Sequence, residues 1–168
     1  YFDSVSETVI MEKNKIRVTV WYEFRQEKYR PEVAALFPKG IHGCIGDFLS
    51  ECDDIEVRLA ALDDPDQGLP DEVLDNTDVL LWWGHMAHKE VDDELVKKIQ
   101  QRVYLGKMGF IALHSGHHSK PFRKLMGTSC NLTWREDGDR ELVWVVNPAH
   151  PIAQGIDRFI HLEHVETY

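Results

Sequence analysis

The chain has 168 residues, 43% hydrophobic and 29% charged, with a formal net charge of −10 when histidine is neutral. That length favours one domain with a sizeable core, and the acidic balance argues against a nucleic-acid binder, which needs a basic stripe. No apolar run reaches the roughly 18 residues of a membrane span, so a membrane protein is not expected.

Residues 1–15 lack the basic segment and apolar core of a signal peptide and read as a leader or cloning remnant, with Met11 a candidate natural start. IRVTVWY, residues 16–22, is β-branched and aromatic and predicts a strand. EFRQEKYRPE then reads as a polar loop. From Gly40 to Glu51 apolar residues fall at Ile41, Cys44, Ile45, Phe48 and Leu49, the helical spacing. IEVRLAAL, 55–62, predicts a second strand. After the turn-rich DDPDQGLPDE, Pro70 can open a short helix to about Asn76. DVLLWW, 78–83, is a third strand whose continuous apolar run suits burial on both faces of a parallel sheet. VDDELVKKIQQRVYLG is an amphipathic helix, acidic in its first turn and closed near Gly106. Residues 108–113 form the fourth strand, and HSKPFRKLM a helix with Pro121 in its first turn. NLTWRE, the turn Asp137-Gly138-Asp139 and RELVWVV predict a hairpin. The remainder is proline- and histidine-rich and less regular.

Four alternations of strand and helix predict an α/β fold, a doubly wound and mainly parallel sheet with helices on both faces. Residues 16–168 are expected to form that single domain. Ligands of such sheets bind beyond the carboxyl ends of the strands. Here those exits carry Glu23, Asp63, Gly84-His85 and His114-Ser115-Gly116. Three of the four place a strong polar group directly after an apolar run, and two of them are rich in histidine.

Each exit has a chemical reading beside a plainer one. Ser115 fails the G-x-S-x-G elbow of the α/β-hydrolases, because Leu113 and His117 stand where glycines belong. Its hydroxyl is expected to cap the following helix instead. Shifted by one residue, Ala112 to His117 matches the small-x-Cys-x-Gly-His elbow of class I glutamine amidotransferases, with His114 in place of the cysteine. Without a thiolate that amide chemistry is not expected. His85 and His88, three apart, could share a metal with His114, zinc being the best match for neutral imidazoles. The plainer reading gives these rings loop carbonyls and solvent as partners. Glu23, Glu163 and Glu166 are candidate proton-transfer groups, Glu23 the best placed. Trp82 and Trp83 alternate faces, so one can enter the core while the other lines a pocket. No G-x-G-x-x-G or phosphate loop occurs, so no nucleotide cofactor is expected. Three cysteines, Cys44, Cys52 and Cys130, with no C-x-x-C pair, suit a reducing cytoplasm.

The segments IRVTVWYEFRQEK, GIHG at 40–43, VLLWWGHMAHKEV, FIALHSGHHSKPFRKLMGTSCNLTWRE and WVVNPAHPIAQGI together resemble the trehalose-utilisation, or ThuA-like, family. The resemblance implies a flavodoxin-like fold related to the class I glutamine amidotransferases, without their cysteine. It implies a bacterial cytoplasmic role in using trehalose or related disaccharides, beside a sugar oxidoreductase that makes 3-keto sugars. His42, His85, His88, His114 and His117 match its histidine motifs. Family members continue for several dozen residues beyond the last residue here, so a chain lacking its C-terminal part is expected.

The leading expectation is a sugar-catabolic enzyme acting on a disaccharide or its 3-keto derivative. His114, His85 and Glu23 would do the chemistry, and His42, Trp83, His117, Ser115 and Lys120 would bind the substrate. A divalent metal would sit on His85, His88 and His114. The expected partner is a small sugar, with no nucleic acid and no membrane, and with homo-oligomerisation left open. The alternatives are a sugar-binding or regulatory domain without chemistry, and a serine hydrolase using Ser115.

Overall fold

The structure is a computed structural model and describes residues 14–168; the expected leader, but for Asn14 and Lys15, lies outside the described residues. It divides into two compact units, the first ending at Cys130 and the second spanning Asn131–Tyr168.

The first unit is built on four parallel strands: β1 (Ile16–Tyr22), β2 (Ile55–Ala61), β3 (Val79–Trp83) and β4 (Gly109–Ala112), in the order β2-β1-β3-β4. This is the flavodoxin-like order. The chain runs from β1 to one neighbour and later returns on the other side, so the connections diverge between β1 and β3. β1 is central, and its last five residues are buried. At the amino ends the register of β1 on β3 is pinned by polar pairs. Arg17 donates to Asp78 through its backbone N–H at 2.8 Å and its guanidinium at 2.6 Å, and the Thr19 and Thr77 hydroxyls meet at 2.6 Å. At the carboxyl ends aromatic residues take over. Trp21 and Trp82 are register partners and stack at 3.7 Å between ring centroids.

That tryptophan pair anchors one face. Its core joins Leu80 of β3 and Leu69 with Val73 and Leu74 of α4 (Asp71–Asp75) and Ile99 of α5 (Asp93–Tyr104). α5 buries Leu95, Val96 and Ile99, and its first turn is closed by Asp92, which accepts from the Glu94 N–H at 2.7 Å. α6 (Lys120–Met126) follows, with Pro121 in its first turn as expected. The opposite face is covered by α3 (Gly40–Leu49), which turns Gly43 and Gly46 inward. A Cβ at Gly46 would lie 2.7 Å from Leu59, so glycine lets the helix settle on β2.

Two expectations fail. The polar stretch after β1 holds two short helices, α1 (Gln26–Tyr29) and α2 (Pro31–Leu36). Neither has a buried residue, so neither leaves an apolar period in the sequence. In the second unit, residues 131–136 do not form a hairpin with 140–146. β5 (Glu141–Trp144) pairs antiparallel with the more distant β6 (Phe159–Leu162), Trp144 packing on Phe159 at 5.1 Å. Residues 131–136 contribute one bridge, Arg135 to Thr167. Aromatic cross-strand packing outweighs the nearer turn signal.

Candidate functional site

The candidate residues gather at the carboxyl ends of β1, β3 and β4. Glu23, the first residue past β1, is 1% exposed. Its carboxylate accepts three consecutive backbone N–H groups from the loop after β3: His85 at 2.8 Å, Met86 at 2.7 Å and Ala87 at 2.9 Å. The glutamate therefore closes the crevice between β1 and β3 with its own charge. It fixes the loop that carries His85 and His88, and both carboxylate oxygens are engaged. This is the geometry of a positioning group rather than of the proton carrier expected at this residue.

The neighbouring exits are tied in by Arg25. It donates to Asp63 at 2.7 and 2.8 Å and to Glu90 at 2.8 Å, joining the loops after β1, β2 and β3. Arg25 and Lys28 hold the Asp63 carboxyl down to about 2. Asp63 is thus committed to an ion-pair network.

The loop after β3 presents two different imidazoles. His85 is exposed and lies 6.2 Å from the Trp83 ring, the half-buried tryptophan, whereas Trp82 is fully buried in the core. His88 is half-buried, and burial pushes its pKa below the usual imidazole range against the opposing pull of Glu23. His85, His117 and His118 lower it further by repulsion, so four histidines from two strand exits share one electrostatic neighbourhood. His118, which the sequence reading passed over, is 5.7 Å from His88 and 5.8 Å from His117 between ring centroids.

After β4 the chain makes the elbow. His114 has φ +44°, a left-handed conformation that a bulky residue adopts at a cost of about 1–3 kcal/mol and that clusters at functional sites. Two residues on, a Cβ at Gly116 would lie 2.8 Å from the Trp82 carbonyl oxygen, so only glycine allows the turn to pass so close to β3. His114 is thereby turned outward and exposed. His117 Nδ1 is 2.9 Å from the Cys130 carbonyl oxygen. A carbonyl can only accept, so Nδ1 carries a proton, and in the neutral ring Nε2 is the nitrogen with the lone pair. Ser115 does not cap the next helix. Ser119 does, accepting from Phe122 N–H at 3.4 Å, while the Ser115 Oγ is buried without a hydrogen-bond partner. A serine nucleophile needs a base in hydrogen-bond contact, and here none is in place.

His42, on α3, packs between the rings of Tyr22 at 5.5 Å and Phe24 at 5.4 Å. Its Nδ1 is buried without a partner, and burial lowers its pKa. Gly40, at φ +75°, makes room for it, since a Cβ there would lie 2.6 Å from the imidazole. Tyr22 reaches Trp83 at 4.8 Å, so His42, Tyr22, Trp83 and His85 form a chain of rings along one face. Lys120 is engaged elsewhere. Its Nζ donates to the Val91 carbonyl at 2.6 Å and to Asp93 at 2.8 Å, in a cleft of about 500 Å³ shared with Val96, Lys97 and Arg123. Glu163 and Glu166 belong to the second unit, where Glu163 is 3.3 Å from His161. Among the described residues no group of three or more His, Cys, Asp or Glu side chains is arranged to hold a metal ion. His85, His88 and His114 are thus not arranged as a ligand shell.

The family model described as trehalose utilisation, ThuA, matches residues 17–168. The chain belongs to the ThuA family. A crystal structure of a protein described as ThuA-like, from Bacteroides uniformis ATCC 8492, superposes with a TM-score of 0.64 at 15% identity. The match takes in 95% of this ThuA-family chain and 63% of that one, so the chain spans 63% of that protein's length. At this identity the likeness speaks to the fold, which it shares. No curated protein matches the sequence. Among the described residues no helix is long and apolar enough to cross a membrane.

Proposed function

We propose that this ThuA-family chain is a cytoplasmic sugar-catabolic enzyme acting on a disaccharide such as trehalose or its 3-keto derivative. A sugar oxidoreductase would work beside it. The substrate would lie at the carboxyl ends of β1, β3 and β4. One observation carries the reading. Three of the four described buried side-chain polar atoms without a hydrogen-bond partner, on His42, Trp82 and Ser115, belong to residues at or beside these strand ends. Unpaired buried polar groups cost about 1–3 kcal/mol each, so their gathering round these strand ends favours hydroxyl-bearing partners at this end of the sheet.

In this reading His114 and His85, the exposed imidazoles, move protons to and from the substrate. Imidazole is a side chain that can both give and take a proton, which suits that role. His117 offers the lone pair on Nε2, Trp83 offers a ring face, and Glu23 holds the loop. His114→Ala and His85→Ala are expected to abolish turnover of trehalose or 3-keto-trehalose, followed by product chromatography, with thermal stability nearly intact. Full turnover in both variants would overturn the assignment. Calorimetric binding of these sugars with no product from the unmodified protein would instead favour the sugar-binding or regulatory domain.

A further inference from the structure

The indole nitrogen of Trp82 raises a question that its packing does not answer. The residue is fully buried, stacked on Trp21, and its Nε1 donates to no protein atom. A buried indole N–H normally finds a partner. Gly84 is buried and follows β3 directly, and a Cβ built on it would stand 3.4 Å from each of three polar atoms: Trp82 Nε1, Glu23 Oε2 and His88 Nδ1. Those atoms converge on the place where any other residue would put a methyl group.

The three have complementary chemistry. The indole N–H can only donate, the carboxylate oxygen can only accept, and the imidazole nitrogen does either according to its tautomer. The atom that suits all three is an oxygen bearing hydrogen. It accepts from Trp82, donates to Glu23, and donates to or accepts from His88. A cation is disfavoured by the indole N–H, and an anion by the carboxylate. We propose that Gly84 keeps open a binding site for one hydroxyl oxygen, lying past the point where a methyl group would stand and at van der Waals distance from the glycine α-carbon, held by Trp82, Glu23 and His88. The oxygen belongs either to a resident water or to a hydroxyl of the substrate. Bound there, it connects the carboxylate that fixes the β3 loop to the half-buried imidazole of that loop, making Gly84 and Trp82 positioning residues for His88. The site follows from the polar atoms alone and holds whatever the substrate proves to be.

The test reads the Trp82 indole proton by nuclear magnetic resonance in the ¹⁵N-labelled full chain. A cross-peak between that proton and water is expected, and it is expected to vanish in Gly84→Ala with an upfield move of the indole proton. The added methyl makes only ordinary contacts at 3.4 Å, so the variant should fold, as its amide spectrum will show. Adding trehalose separates the two sources. A water cross-peak that persists assigns a resident water, and its replacement by a cross-peak to sugar protons assigns a substrate hydroxyl. An indole proton with no cross-peak to either in the unmodified protein overturns the proposal, and that result stands even if the variant does not fold.

Discussion

The loops that leave β3 and β4 both bring histidines to the same end of the sheet, yet they are held by opposite means. The β3 loop is held by hydrogen bonds: three consecutive N–H groups close on the buried Glu23 carboxylate. The β4 loop is held by backbone geometry: a left-handed His114, a glycine pressed on the Trp82 carbonyl, and main-chain bonds such as Leu113 N–H to that carbonyl at 2.9 Å, with no buried side-chain charge among them. The first device depends on one side chain from another strand, and the second on the conformation of the loop's own backbone and its close approach to β3. Their failure modes should therefore differ, and substitution can separate them.

The largest effect is expected at Glu23. Glu23→Gln keeps the shape but turns an amide NH₂ toward backbone donors, leaving buried N–H groups unpaired. The expected loss is about 3 kcal/mol of stability by urea denaturation, since hydrogen bonds to a charged acceptor contribute about 1.5–3 kcal/mol each and a donor–donor contact adds to the cost. Amide exchange should quicken at residues 85–87 and stay unchanged at 115–118. A loss below about 1 kcal/mol, or equal quickening in both loops, would show that the carboxylate is not what holds the β3 loop.

This contrast marks the boundary of what the sequence discloses. The strands were legible because each is rich in β-branched, aromatic or other apolar residues, with a strong polar group directly after three of the four, and the parallel sheet followed from their alternation with helices. The His-rich exits and the elbow frame at Ala112–His117 were legible for the same reason, being local. The role of Glu23 was not. A glutamate after a strand reads alike whether it faces solvent or is caged by N–H groups more than sixty residues away. His118 was missed because its closeness to His88 is made by two strand exits meeting in space. Ser115 and Ser119 both precede helical turns, and only the backbone reveals which one caps α6. The β5–β6 pairing is likewise nonlocal, whereas the sequence near Asp137-Gly138-Asp139 advertises a closer turn. The one signal that could have exposed the Glu23 cage is Gly84 itself, a buried glycine at a strand exit.

A smaller effect sharpens the steric half of the comparison. If the left-handed backbone at His114 is strained, glycine should relieve it where alanine cannot. A left-handed residue with a Cβ costs about 1–2 kcal/mol, from which the extra chain entropy of glycine, about 0.5–1 kcal/mol, must be taken. His114→Gly is thus expected to be about 1 kcal/mol more stable than His114→Ala, with both lacking turnover. Equal stability of the two variants would place the elbow's geometry in its surroundings, not in its own backbone.

The smallest effect concerns protons. Burial lowers the pKa of His88 in the folded chain below the roughly 6.5 of an unfolded histidine, and His42 shifts the same way by the same cause. Below about pH 6.5 the unfolded chain takes up these protons first. Stability then rises with pH up to that value and falls as the pH drops from it, until the folded imidazoles protonate too. The carboxylate of Asp63 acts in a separate window. Its pKa is held at about 2, so its contribution is present above about pH 4 and is lost only in stronger acid. Thermal melts between pH 7.5 and 5 should therefore slope downward, and His88→Gln should flatten part of that slope while leaving the share of His42. An unchanged slope in His88→Gln would mean that the β3 loop holds its imidazole no drier folded than unfolded. The hydrogen-bonded loop would then differ from the strained elbow in how it is fixed but not in how it is shielded from water.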